Sequence, residues 1–158
     1  PKEGLAKCME AIRINPLYAP AYYNIAVVYS DNKEYTEALR FYEMAVERNP
    51  RYIEAYCNIG VIFKNSGHLE RAIQFYQKAL AIDPNFLIAK TNLAIALTDM
   101  GTVVKSGGDV KGAVRYYKRA LMYDVHCADA YYNLGVAYGE MCKFDRAIFY
   151  YELATFAK

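Results

Sequence analysis

The stretch AYYNIAVVYS at residues 21–30 returns as AYCNIGVIFK at 55–64 and AYYNLGVAYG at 130–139, with a more distant copy, AKTNLAIALT, at 89–98. Asn24, Asn58, Asn92 and Asn133 hold one place in the copies, at spacings of 34, 34 and 41 residues. Other positions recur at 34, 41 and 34 residues: Ala38, Ala72, Ala113 and Ala147; Ala45, Ala79, Ala120 and Ala154; Tyr42, Tyr76, Tyr117 and Tyr151. Pro16, Pro50 and Pro84 fall at the ends of the copies, where the last site is Val125. A fixed step of this length is the signature of stacked supersecondary units, none of which buries its apolar face alone.

Each unit reads as two helices. Tyr22, Ile25, Ala26 and Tyr29 lie at helical spacing and predict a first helix from about Ala21 to Asn32. Ala38, Leu39, Tyr42, Ala45 and Val46 share a face and predict a second from about Tyr35 to Arg48. Ala26, Gly60, Ala94 and Gly135 are small enough to let the first helix approach its partner, with aromatic rings filling the space beside them. The Asn-Pro pairs stop the second helix, because proline disfavours helical geometry in the residue before it. Small residues, aromatics and a terminal proline at fixed places resemble the tetratricopeptide repeat, across essentially the whole chain. The fold expected is all-α, a right-handed α-α superhelix built as one repeat array. Residues 1–18 read as the second helix of a truncated unit, followed by units at 19–52, 53–86, 87–127 and 128–158. The chain opens without an initiator Met and stops inside a helical pattern, so it reads as a piece of a longer protein.

The unit at 87–127 is seven residues too long, the excess lying in TDMGTVVKSGGDVKGAV, 98–114. Seven residues are close to two turns at about 3.6 residues each. The first helix can therefore lengthen and keep its apolar face, with Val103 and Val104 continuing it and SGG at 106–108 making the turn. A longer loop over 101–107 is the alternative, since Gly101 in mid-helix costs about 1 kcal/mol relative to alanine. Lys90 stands where the other copies carry an aromatic residue.

Composition narrows the function. Hydrophobic residues make up 55% of the 158, enough for a sizeable core, and 19 basic against 17 acidic residues give a net charge of only +2. That balance argues against a nucleic-acid or membrane-surface protein. No run of about 18 apolar residues suggests a membrane span. Cys8, Cys57, Cys127 and Cys142 are far apart and none pairs as CxxC, so they read as free thiols of an intracellular protein, a single disulfide being the alternative. His68 and His126 have no metal-ligand spacing, and His68 reads as an exposed turn residue. KSGGD lacks the spacing and the Lys-Ser/Thr end of a phosphate loop. With no Ser-His-Asp set and no paired carboxylates in a plausible pocket, neither catalytic residues nor a cofactor site are expected within the chain.

The asparagines point elsewhere. An amide in mid-helix is a mediocre helix former and costs free energy if buried unpaired. Each sits one residue before a core position (Ile25, Ile59, Leu93, Leu134), at the edge of the packed face. First helices line the inner surface of such a superhelix, so Asn24, Asn58, Asn92 and Asn133 would form a ladder along its groove. An amide offers donor and acceptor and so grips an extended backbone with little sequence preference. Seven residues on, Asp31, Asn65, Asp99 and Glu140 would make a flanking polar stripe suited to hydroxyl or basic groups. The plainer alternatives are amides bonded within their own repeats and a merely solvated acidic face.

This Asn-bearing form of the repeat resembles the superhelices of the O-linked glycosyltransferases that modify Ser and Thr of nuclear and cytoplasmic proteins. NPLYAPAYYNIAVVYS, AYCNIGVIFKNSGHLERAI, PNFLIAKTNLAIALTDMGTVVKSGGDV and HCADAYYNLGVAYGEMCKFDRAIFYYELA are similar to the SPINDLY family of plants, the overlong unit being the most specific part. The resemblance implies a C-terminal catalytic domain outside these residues that takes a nucleotide sugar, GDP-fucose or UDP-GlcNAc. It also implies DELLA-type repressors of gibberellin signalling among the substrates, and a place in nucleus and cytoplasm. The chain would then recruit extended Ser/Thr-containing segments, and Asn58→Ala with Asn92→Ala would weaken their binding. A homodimerisation or scaffold module is the other reading. A chaperone-tail clamp is disfavoured, because the groove carries amides and acids where such clamps carry Lys and Arg.

Overall fold

The structure is a computed structural model that describes residues 2–157. Among them it shows nine helices and no strand: α1 (Lys2–Ile14), α2 (Ala19–Asp31), α3 (Tyr35–Arg48), α4 (Ile53–Asn65), α5 (Leu69–Ile82), α6 (Leu87–Ser106), α7 (Val110–Tyr123), α8 (Ala128–Glu140) and α9 (Phe144–Phe156). The pairs α2/α3, α4/α5, α6/α7 and α8/α9 are helical hairpins stacked in chain order, an α-solenoid.

Local chemistry sets the joints. Asn15, Asn49, Asp83 and Asp124 each accept, through the side-chain Oδ1, the backbone N–H two residues on (2.9–3.0 Å), an Asx turn that ends α1, α3, α5 and α7. Asp124 keeps the extended geometry of Asn49 and Asp83 although Val125 follows it instead of proline. The Asx turn therefore suffices without the proline. Within hairpins the chain turns through positive φ at Lys33, Gly67, Gly108 and Cys142. The next N–H bonds back to Tyr29, Phe63, Val104 and Tyr138 at 2.9–3.2 Å, closing each first helix with a Schellman-type cap.

The core alternates small and large. Ile25, Ile59, Leu93, Leu97 and Leu134 are fully buried, as are the rings of Tyr42, Tyr76 and Tyr117. Aromatic stacks clasp three hairpins: Tyr29 on Phe41 (5.5 Å), Phe63 on Phe75 (5.5 Å) and Tyr138 on Tyr150 (5.3 Å).

The long unit extends its helix. α6 runs for 20 residues through Gly101, and Gly108, at φ 95°, makes the turn. Asp109 then caps α7, its Oδ1 accepting the Gly112 N–H at 2.7 Å. The extension changes one expected partnership. A Cβ at Gly60, Gly101 or Gly135 would lie 2.5–2.6 Å from the ring of Tyr76, Tyr117 or Tyr151, so Gly101, not Ala94, makes the close approach in the third hairpin. Ala94 is buried two turns earlier, in the core shared with α4 and α5. The aromatic that Lys90 lacks is made good in the same way. Counted back from α7, Leu97 stands where Tyr22 and Tyr56 stand, and it is fully buried. With a mean hydropathy of 1.3, α6 has the length and apolarity of a membrane-crossing helix. Its apolar side chains Leu93, Ala94, Leu97 and Met100 are core, packed among α4, α5, α7 and α8.

Candidate functional site

The four ladder asparagines lie on the first helices α2, α4, α6 and α8, beside core residues that fix their direction. Their settings differ. Asn58 is half-buried, and its Nδ2 donates to the hydroxyls of Tyr23 and Tyr42 at 3.1 Å each. It thus ties three helices, α2, α3 and α4. Burial pushes the Tyr42 phenol up to about 12, against the Asn58 hydrogen bond, which pulls it down. Asn24 is exposed, and Asn92 and Asn133 are half-buried. Among the described residues these three make no side-chain hydrogen bond, so their amides are free. Asn58 is therefore a structural amide, but its bonds cross to the preceding repeat instead of staying within its own.

Asn92 has the position relative to Tyr76 that Asn58 has relative to Tyr42, yet no bond joins them. The Tyr76 hydroxyl is fully buried without a partner, and that burial holds its pKa far above the usual phenol value. The neighbouring Cys57 thiol is pushed up to about 11 by burial, making it an inert core group.

The polar stripe divides as well. Asp31 and Asn65 are exposed. Glu140 accepts an ion pair from Lys105 of α6 at 2.7 Å, bridging α6 to α8. Asp99 leaves the stripe. It precedes Tyr117 by 18 residues, the same interval as Asn24 to Tyr42, Asn58 to Tyr76 and Asn133 to Tyr151. Relative to its own hairpin partner, Asp99 therefore occupies the ladder place, and Ser106 falls at the stripe. The ladder steps by two turns within α6, about 10 Å along the axis. Its upstream row is Asn24, Asn58 and Asn92; its downstream row is Asp99 and Asn133. Counting back from the aromatic series instead of forward from the asparagines reveals this in the sequence.

Asp99 and Asn133 meet in a cavity of about 200 Å³ between α6 and α8, lined also by Ile95, Thr98, Cys127, Asp129 and Tyr132. Sequence reasoning singled out none of these five for the site, because they become neighbours only when α8 packs on α6. Burial raises the Asp99 pKa above the usual carboxylate value; the field of Lys64 opposes this and that of Asp129 adds to it. Neither Asp99 nor Asp129 has an ion-pair partner among the described residues. The groove thus offers free amides, a cavity with two carboxylates, and apolar walls, which suits an extended polypeptide.

Comparisons agree on the architecture. The family model of the tetratricopeptide repeat matches residues 19–52, 53–86 and 128–155, more than half the chain, and passes over the long unit. Over 44 residues, 28% of this chain, it is 58% identical to the rice (Oryza sativa subsp. japonica) protein named "Probable UDP-N-acetylglucosamine--peptide N-acetylglucosaminyltransferase SPINDLY". The barley (Hordeum vulgare) protein of the same name is 56% identical over 44 residues. The match spans only 5% of the length of each of those curated relatives. In fold, the chain is similar to MamA, with a TM-score of 0.70 at 19% identity, covering 97% of this chain and 85% of that one. It is likewise similar to YrrB, a TPR protein with an unusual peptide-binding site, with a TM-score of 0.69 at 22% identity over 98% and 76% of the two chains. The chain belongs to the tetratricopeptide repeat family and is a protein-interaction module of that family.

Proposed function

We propose that this module recruits extended Ser/Thr-containing protein segments along the face of its first helices and presents them to a SPINDLY-type O-glycosyltransferase domain carried outside these residues. The observation that carries the proposal is the free amides of Asn24 and Asn92 in the upstream row, on α2 and α6, and of Asn133 in the downstream row, on α8. An amide with both donor and acceptor unengaged grips a peptide backbone. The short but high identity to the SPINDLY relatives supports the choice of catalytic partner. On this reading the nucleotide sugar, GDP-fucose or UDP-GlcNAc, binds only the catalytic domain. DELLA-type repressors are the substrate class, and the protein works in nucleus and cytoplasm.

The test titrates the chain with labelled, unstructured Ser/Thr-rich peptides. Asn92→Ala/Asn133→Ala should weaken binding about tenfold, roughly 1.4 kcal/mol, at unchanged circular dichroism. Equal affinity, or no binding by either form, refutes the ladder. Asn58 is a poor choice for this test, because its amide also holds two tyrosines.

Homodimerisation is the second reading of the same array. It predicts a mass that rises with concentration and an indifference to Asn→Ala changes.

A further inference from the structure

The groove is not uniform along its length, and the difference is chemical. The step between α2 and α4 and the step between α6 and α8 correspond residue for residue at an offset of 75: Tyr23 to Thr98, Tyr52 to Cys127, Glu54 to Asp129, Cys57 to Tyr132, Asn58 to Asn133. At the first step, Tyr23 stacks on Tyr52 (ring centroids 4.9 Å) and accepts from Asn58. Two rings fill the floor there, and the amide is consumed. At the other step the same two positions carry Thr98 and Cys127, whose Oγ1 and Sγ meet at 3.7 Å. Thr98 satisfies its own hydroxyl by donating to Ala94 O at 2.9 Å, so it makes no demand on the groove. Removing two rings hollows the floor. The cavity holds about 200 Å³, against about 100 Å³ at the ring-filled step. The change also removes one of the two partners that Asn133 would have by analogy with Asn58: the place of Tyr23 holds no hydroxylated ring, and Tyr117, at the place of Tyr42, has its hydroxyl 3.4 Å from Thr102 Oγ1.

The walls say what fits. Asp99 replaces the amide of Asn24, and Asp129 keeps the carboxylate of Glu54, so two acids face one hollow; Lys64 lies near enough for its field to reach Asp99, but among the described residues neither acid is in an ion pair. Ile95 and Tyr132, 38% and 56% exposed, form the apolar and aromatic sides at the mouth. Carboxylates at the end of an apolar-walled hollow suit a cation on an alkyl stem, and a guanidinium gains a ring face as well.

We propose that the hollow between α6 and α8, bounded by Asp99, Asp129, Asn133 and Tyr132 over a Thr98–Cys127 floor, is a specificity pocket for a basic side chain, arginine above all, of the protein segment held in the groove. The pocket rests on the reading of the first-helix face as a peptide groove. It adds a side-chain preference to what the amides hold without preference.

The pocket and the groove are separable by experiment. The isotope-labelled chain is titrated with butylguanidinium and, as the neutral isostere, butylurea, following the Asn133 side-chain amide and the Tyr132 and Asp129 backbone signals by NMR. Saturable shifts are expected with the cation and not with the urea, and they should vanish in Thr98→Tyr, which restores the ring. Asp99→Asn, which leaves the floor as it is, should abolish them too if Thr98→Tyr fails to fold. Peptides differing only in arginine against citrulline are then compared by anisotropy, where a preference of about tenfold for arginine is expected, collapsing to near unity in both variants. No cation-specific shift, or a preference that survives Asp99→Asn, overturns the pocket. If butylguanidinium binds while neither peptide does, the pocket stands and the groove reading falls.

Discussion

Gly101→Ala tests where the register of α6 changes. In an exposed helix interior, glycine to alanine stabilises by about 1 kcal/mol, because the backbone loses less freedom on folding. At Gly101 the added Cβ would lie 2.5 Å from Tyr117 Cε1, 2.8 Å from Cδ1 and 3.1 Å from the Cβ of Tyr116. The Tyr117 ring is fully buried and has nowhere to retreat. Overpacking of this kind costs about 1–3 kcal/mol. Set against the propensity gain, the net effect is a loss of up to about 2 kcal/mol, about 1 kcal/mol at the middle of that range. Gly139→Ala is the paired control: it too is in a helix, and its Cβ would meet nothing within 4 Å. It should stabilise. Urea denaturation of the three proteins, followed by far-ultraviolet circular dichroism, should place the midpoints in the order Gly139→Ala, parent, Gly101→Ala. If Ala94 were the residue facing Tyr117, Gly101→Ala would stabilise like the control. Equal or higher stability of Gly101→Ala therefore refutes the two-turn shift.

Three further outcomes follow from the hydroxyls and the acid beneath the groove. Asn58→Ala leaves the buried Tyr42 hydroxyl without its donor and should cost about 1–3 kcal/mol, whereas Asn92→Ala, whose amide bonds nothing, should change the denaturation midpoint little. Tyr76→Phe removes a buried hydroxyl that has no partner and should be neutral or slightly stabilising in the same assay, while Tyr42→Phe should destabilise. Asp99 has a raised pKa in the folded chain, so the native state binds its proton more tightly than the unfolded state does. Its contribution to stability is present in acid and is lost as pH rises from its unfolded value, near 3.8, through its folded value. Asp99→Asn should therefore raise the melting temperature at neutral pH, with the difference closing below about pH 4; an equal gain at all pH values would refute it.

The helices were legible because their signals are local. Four series of small and aromatic residues at steps of 34, with one of 41, state the hairpins, and an Asn or Asp at the close of α3, α5 and α7 ends each through its own side chain. The predicted second helix, Tyr35 to Arg48, matches α3, and the first begins two residues earlier than Ala21. The ladder was legible as a recurrence but not as chemistry. Asn58 binds hydroxyls from two other helices, and nothing in its own copy announces that Tyr23 and Tyr42 will converge on it. Glu140 looked like open groove and is paired with Lys105, 35 residues away.

What the sequence by itself determined is therefore the repeat, its length, its helix pairs and the face that carries the amides, all written in neighbours three or four residues apart. Only the tertiary structure decided which turn of α6 meets which partner. Seven residues return a helix to nearly the same face, about 20° short of two full turns, so Ala94 and Gly101, or Asn92 and Asp99, are equivalent choices by pattern alone. The choice falls to the Tyr117 ring, which accepts a glycine and excludes a Cβ. That contact carries the downstream half of the stack two turns along α6, and it brings Asp99 beside Asp129 and Asn133 over a floor without rings.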